Sequence, residues 1–232
     1  MSTGKRSSLW VATVCVAVTA VSGGVSACSK NESESAQQSQ SQSADKPAEP
    51  SKKPVSGTAG QLPTLGDYIK QNNITETPAK HDDPDVPKIA LPMPPGWADA
   101  GAATPSYAYN AIVAVDPFLQ PDPPTVIVVL SKLTGDVNPA QILELAPNEL
   151  LNLPDFDGSE PERGKISGFD DVAIAGKYSR NGQARTIAQI TAVIPAKEGV
   201  YVLQINVEGT YEQTEVVIQV LDTIAKKATI TV

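Results

Sequence analysis

Cysteine is almost missing from this 232-residue chain: Cys15 and Cys28 are the only two, and both stand within the first 28 residues. Everything downstream therefore lacks a disulfide, a thiol nucleophile and a cysteine metal site. Histidine is scarcer still. His81 is the only one, which excludes histidine-rich metal sites and leaves a single position for an imidazole base. Aromatic residues make up 5% of the chain. Positive charge is in deficit, since 18 Lys and Arg stand against 26 Asp and Glu for a net charge of −8. No nucleic-acid partner is predicted, because such binders carry a basic stripe. There is no Gly-x-Ser-x-Gly elbow and no Gly-rich loop ending in Lys-Ser or Lys-Thr. Neither α/β-hydrolase nor P-loop chemistry is therefore expected.

The N-terminus, by contrast, is informative. Residues 1–27 read as a lipoprotein signal peptide. Lys5 and Arg6 give a positive start, and residues 9–21 form an uncharged apolar run. That run is shorter than the roughly 20 apolar residues of a membrane-spanning helix and suits a signal-peptide core. Val25-Ser26-Ala27-Cys28 resembles the bacterial lipobox, in which small residues fit a peptidase groove and the thiol takes a diacylglyceryl group. The mature chain is predicted to start at Cys28 and to be lipid-anchored in the cell membrane, on its extracytoplasmic face, by its acyl chains. Losing Lys5 and Arg6 removes two positive charges from −8 and leaves −10, so anionic lipid does not attract the protein. Residues 28–63 hold the acylated Cys and a tether of Ser, Gln, Glu, Lys, Pro and Ala without an aromatic residue. Such a segment buries too little surface to offset its ordering entropy and is predicted to be disordered.

Residues 64–232 are predicted to form one domain. Thr64-Leu65-Gly66-Asp67 starts a capped helix that runs through Tyr68 and Ile69 to Asn72 or Asn73. A short strand follows at 88–91, then the turn Pro94-Pro95-Gly96-Trp97. Further strands are predicted at 107–115 and 125–133. In the second, Val126 through Leu130 are all apolar, which predicts cover on both faces. Asn138-Pro139 opens a helix with Ile142, Leu143, Leu145, Leu150 and Leu151 on its apolar face, and Pro147 kinks or splits it. Asn181-Gly182 predicts a two-residue hairpin between strands 172–180 and 183–194. That loop sets Arg180 opposite Gln183, Tyr178 opposite Arg185, and Ile174 opposite Gln189. From Gly199 a further strand turns Tyr201, Leu203, Ile205 and Val207 one way and Val202, Gln204 and Asn206 the other. A last helix over 212–227 carries Val216, Val217, Val220, Leu221 and Ile224 as its stripe. Tight turns between consecutive strands predict a mainly antiparallel sheet. Helices on both sides make the fold class α+β, a three-layer sandwich.

Several of these stretches resemble the actinobacterial LpqN/LpqT lipoprotein family. They are Gly66-Asp67-Tyr68-Ile69 with Ile74-Thr75-Glu76-Thr77-Pro78, then Leu130-Ser131-Lys132-Leu133-Thr134-Gly135-Asp136, Leu151-Asn152-Leu153-Pro154, Val193-Ile194-Pro195 and Val202-Leu203-Gln204. The resemblance runs from Thr64 to the C-terminus. It implies a Mog1/PsbP-like fold with an antiparallel sheet between helices. It also implies cell-envelope binding and accessory roles, some connected with glycolipid handling near the transporters of mycolate-bearing lipids. No catalytic motif, cofactor or site residue comes with it.

Candidate chemistry has to come from the residues. His81 stands in Lys80-His81-Asp82-Asp83-Pro84-Asp85, either a base oriented by Asp82 or an exposed acidic loop; Pro84 breaks the spacing of a calcium loop. Asp155, Asp157, Asp170 and Asp171 sit next to Gly158 and Gly168 and read as turn residues. Arg163, Lys165, Lys177, Arg180 and Arg185 gather around the hairpin, as a patch for an acidic ligand or as charges that protect a sheet edge. Gln189, Gln204 and Asn206 form a polar row beneath a helix. They are either an internal network or the amides of a ligand groove, with Val202, Ile187 and Ile174 lining an acyl slot. Trp97 either stacks on a sugar or plugs the core. Taken together, the residues predict no catalytic or metal residues, Cys28 as the lipidation site, and Trp97, Gln189, Gln204 and Asn206 as ligand-binding candidates. The expected function is a non-catalytic envelope module that binds a glycolipid or an envelope transport protein. A pure protein–protein interaction module is the alternative, and a hydrolase has only His81 behind it.

Overall fold

Residues 60–232 are described by a computed structural model of the chain. The predicted signal peptide, Cys28 and the tether up to residue 59 lie outside the described residues. The first helix, α1 (Leu65–Gln71), starts at Thr64 because a capping box satisfies its free amides. The Thr64 hydroxyl accepts from the Asp67 N–H at 3.2 Å, and the Asp67 carboxylate accepts from the Thr64 N–H at 2.8 Å. Asn138 caps α2 (Pro139–Leu145), with Pro139 in the first turn where a missing N–H does no harm. Pro147 does split this helix, and α3 (Asn148–Leu151) is a single turn beyond it. The long helix α4 (Thr214–Lys227) ends on Lys226 and Lys227, which suit its C-terminal dipole. Two expected helix-face residues are less buried than predicted: Leu151 is exposed and Val216 half-buried.

Four long strands build the centre of the sheet: β5 (Thr125–Thr134), β10 (Val200–Thr210), β9 (Gln183–Pro195) and β8 (Phe169–Arg180), adjacent in that order and all antiparallel. The Asn181-Gly182 turn, with positive φ at both residues, sets the expected register: Arg180 faces Gln183, Tyr178 faces Arg185 and Ile174 faces Gln189. Both outer strands have a divided edge. β4 (Asn110–Ala114) pairs β5 only from Thr125 to Val128, and β1 (Thr75–Pro78) takes over from Ser131 to Thr134. In the same way β7 (Glu162–Ile166) pairs β8 from Phe169 to Ala173, and β6 (Asp157–Gly158) pairs it at Gly176 and Lys177. β3 (Trp97–Asp99) adds an outermost strand against β4. A separate two-stranded ribbon joins β2 (Lys88–Ala90) to β11 (Thr229–Thr231).

The strand periodicity sorts side chains into two cores. Leu203, Ile205 and Val207 with Val126, Val128 and Leu130 pack under Val217, Val220 and Ile224 of α4. Val172, Val193, Val200, Val202 and Leu133 pack under Leu65 and Tyr68 of α1 and Ile142 and Leu145 of α2. The sheet thus lies between helices, which makes the α+β three-layer arrangement. Cover is unequal, however. On β5 the residues facing α4 are at most 1% exposed, whereas Ile127 and Val129 on the other face are only half-buried. The expectation that both faces of this strand are sealed holds for one face alone.

Candidate functional site

A cleft of about 120 Å³ opens where the edge of β5 passes from β4 to β1. Its apolar walls are Leu65 and Ile69 of α1, Val129 and Leu133 of β5, and Val202 of β10. Its polar groups are Glu76 of β1, Ser131 of β5, Glu149 of α3 and Gln204 of β10. Alternation puts Val202 and Gln204 on one face of β10, and antiparallel pairing sets them opposite Ser131 and Val129 of β5. Glu149 reaches the cleft because Pro147 breaks the helix and turns α3 over the sheet. The Gln204 side-chain amide donates to Glu149 at 3.0 Å. Burial pushes the Glu149 carboxyl above its ordinary value; the bond from Gln204 pulls back, the Glu76 charge adds to the rise, and Gln189 again opposes it.

The four predicted ligand candidates that lie in the described region divide between two faces. Gln204 lines the cleft. Gln189 is buried beside it and donates to the side-chain oxygen of Asn206 at 2.8 Å, while the Thr191 hydroxyl donates back to Gln189 at 3.4 Å. Gln189 and Asn206 are thus bonded to each other, while Gln204 lines the cleft and bonds Glu149. Of the expected acyl slot only Val202 lines the cleft; Ile174 is buried in the sheet opposite Gln189. Trp97 lies on the opposite face, packed against the core under α4. It also lines a groove of about 320 Å³ with Pro94, Leu119 and Val220. A third groove, of about 370 Å³, runs between the start of α4 and the β6 edge, along Gly176, Tyr211 and Ile218.

Other candidates have structural partners. The His81 ring lies 3.0 Å from Asp82 and edge-on to Tyr109 at 5.5 Å, in an exposed loop away from these clefts. Lys165 pairs with Asp170, and Lys177 with Asp157. Arg185 is buried between Asp122 and Glu208, and Arg180 joins the same Glu208. Lys165, Lys177, Arg180 and Arg185 of the basic patch thus tie strands and the β4–β5 loop together. Sequence reasoning missed Glu76, Ser131 and Glu149. The signal for Ser131 was a hydroxyl that interrupts the buried run of β5. Among the described residues, no group of three His, Cys, Asp or Glu side chains is arranged to hold a metal, and no helix is long and apolar enough to cross a membrane.

Comparison with known proteins agrees on one family. The family model described as "Probable lipoprotein LpqN" matches residues 62–231. Lipoprotein LpqN of Mycobacterium tuberculosis is 42% identical over 174 residues, which is 75% of this chain and 76% of that protein. The crystal structure of LpqN "involved in cell envelope biogenesis" of the same organism is 41% identical. It superposes with a TM-score of 0.69, covering 75% of this chain and 99% of that one. A solution structure of PsbP from the cyanobacterium Synechocystis, 12% identical with a TM-score of 0.36, is too distant to add to this.

Proposed function

Because the chain belongs to the LpqN lipoprotein family, we propose that it works in the cell envelope as a non-catalytic binding module, held on the extracytoplasmic face of the membrane through acylated Cys28. Its ligand is an amphiphile such as a glycolipid, taken up from the membrane or from an envelope transport protein. The observation that carries this reading is the mixed wall of the β5 cleft, where Val129 and Val202 stand beside Gln204, Ser131 and Glu149. Ligand sites pair apolar walls with a few fixed polar groups in this way. Size limits what is held. A cavity of roughly 150 Å³ takes one benzene ring, so a cleft of about 120 Å³ holds one end of an amphiphile and leaves the rest outside. The module recognises rather than encloses.

The test is a titration of the full chain with octyl glucoside below its micelle concentration, alongside chemical denaturation of Gln204→Ala. In an open cleft, water replaces the lost amide, so stability should change by less than about 1 kcal/mol while binding weakens several-fold. A loss of about 1–3 kcal/mol, the cost of a stranded buried partner, with unchanged binding would make Gln204 structural. Absence of binding by the parent chain would overturn the reading.

A further inference from the structure

The polar part of the β5 cleft carries charge of one sign only. Glu76 and Glu149 both line it, and no basic side chain does. Two carboxyls alone would mark nothing, but Ser131 lies with them. Ser131 is only 6% exposed, yet it lines the cleft, and its hydroxyl has no hydrogen-bond partner among the described residues. The oxygen itself is not sealed off, since no buried side-chain N or O among the described residues lacks a partner, so a ligand in the cleft can reach it. Gln204 uses its amide N–H on Glu149, which leaves its carbonyl oxygen without a partner among the described residues. The cleft is therefore rich in acceptors: two carboxyls, one amide oxygen and one hydroxyl.

We propose that the cleft takes a primary ammonium group on a short apolar stem, with Glu149 and Glu76 as counter-charges and the oxygens of Ser131 and Gln204 as neutral acceptors. This rests on the cleft being the ligand site and names the chemistry of the head it selects. An ammonium brings three N–H donors and no acceptor, which matches an acceptor-rich pocket. A cation also relieves the mutual repulsion of two neighbouring carboxylates. A phosphate or carboxylate head would meet two like charges. A bare calcium ion wants six to eight oxygens, whereas half of this cleft is Leu65, Ile69, Val129, Leu133 and Val202, a lining for methylenes.

The experiment is an NMR titration of the full chain at pH 7.5, read at the amides of Ser131, Glu149 and Gln204. The probes are n-butylammonium, n-butyl glucoside and n-butyl phosphate. Butylammonium should bind at least tenfold more tightly than butyl glucoside, and butyl phosphate should leave these amides unmoved. Glu149→Gln and Glu76→Gln should each lower ammonium affinity about tenfold, a several-fold larger loss than the same variant causes for butyl glucoside. Glu149→Gln keeps the size of a half-buried side chain and Glu76 is exposed, so both variants should fold; their unfolding midpoints check this. If butyl glucoside binds as tightly as butylammonium, the charge inference falls and the amphiphile reading stands. If none of the three moves the cleft amides, both fall. If butylammonium binds both Glu variants as it binds the parent, the carboxyls are not its counter-charges and the inference falls.

Discussion

Asp171 shows most clearly how burial acts on a single residue. It is 6% exposed on β8, against Gly164 of β7, where an added Cβ would stand 3.1 Å from the Asp171 carboxylate. Burial pushes its carboxyl up to about 6; the neighbouring Asp170 charge adds to this and Lys165 partly offsets it. A folded value above the ordinary 3.8 means that the native state holds its proton more tightly than the unfolded chain. Stability from this group is therefore full below pH 4, falls as pH rises from 4 to 6, and stays lost above 6. The loss across that window is on the order of 2–3 kcal/mol. Asp171→Asn should be more stable than the parent by about that much at pH 7.5 and by only a few tenths at pH 4, measured as the difference in urea unfolding. An equal difference at both values would show that the carboxyl is not buried in this way. The same dependence on surroundings explains which site residues were legible. Gln204 was visible because it shares with Asn206 the face of β10 opposite Leu203 and Ile205, a polar row that needs partners if a helix covers it. Glu149 was not, since a Glu two residues past a proline looks like any solvated helix face until α3 is seen folded over the sheet.

At the scale of elements, legibility followed the strength of the local signal. The Asn181-Gly182 hairpin was predictable to the residue because both positions take positive φ, which these two residue types tolerate. Ser167-Gly168 makes the same kind of turn between β7 and β8, again with positive φ at both positions. It was missed because Ser is a weaker marker and β7 is exposed along most of its length, so it shows no alternation. β1, β3, β6 and β11 have four residues or fewer; strands this short are set by the neighbour they pair with, not by their own pattern. β6 depends on one close approach. Phe156 lies over Gly176, where a Cβ would come within 2.6 Å of its ring and 2.8 Å of the Gly158 Cα. Gly176→Ala should therefore cost about 1–3 kcal/mol. Phe156→Leu should cost less in the Gly176→Ala background than alone, giving a non-additive double-mutant cycle. Additive losses would mean that ring and glycine do not compete for the same space.

For the whole molecule, the two cores and the sheet between them hold residues 60–232 together without a cysteine. The melting temperature should therefore be the same with and without dithiothreitol, and a shift of several degrees would reveal a bridge through Cys15 or Cys28. The chain joins this body at a defined point. Leu62 exchanges two hydrogen bonds with the Asn152 amide, and Asn148 donates to the Pro63 carbonyl at 2.6 Å. The turn of helix that carries Glu149 therefore also holds the start of the domain, two residues before the predicted boundary at 64.

β5 and β8 are continuously paired on their inner sides and interrupted on their outer sides. Backbone pairing can be lost from β1 or β6 while the four inner strands stay whole. Amide protons of the outer segments should then exchange with solvent through small local openings, and those of β9 and β10 only when the whole domain unfolds. The cleft straddles this divide, with a rim on β1 that breathes and a floor on β10 that does not. A ligand bridging Glu76 and Gln204 would lock the rim to the floor, so occupancy would be written in the exchange of residues 75–78 while β10 kept its own rate.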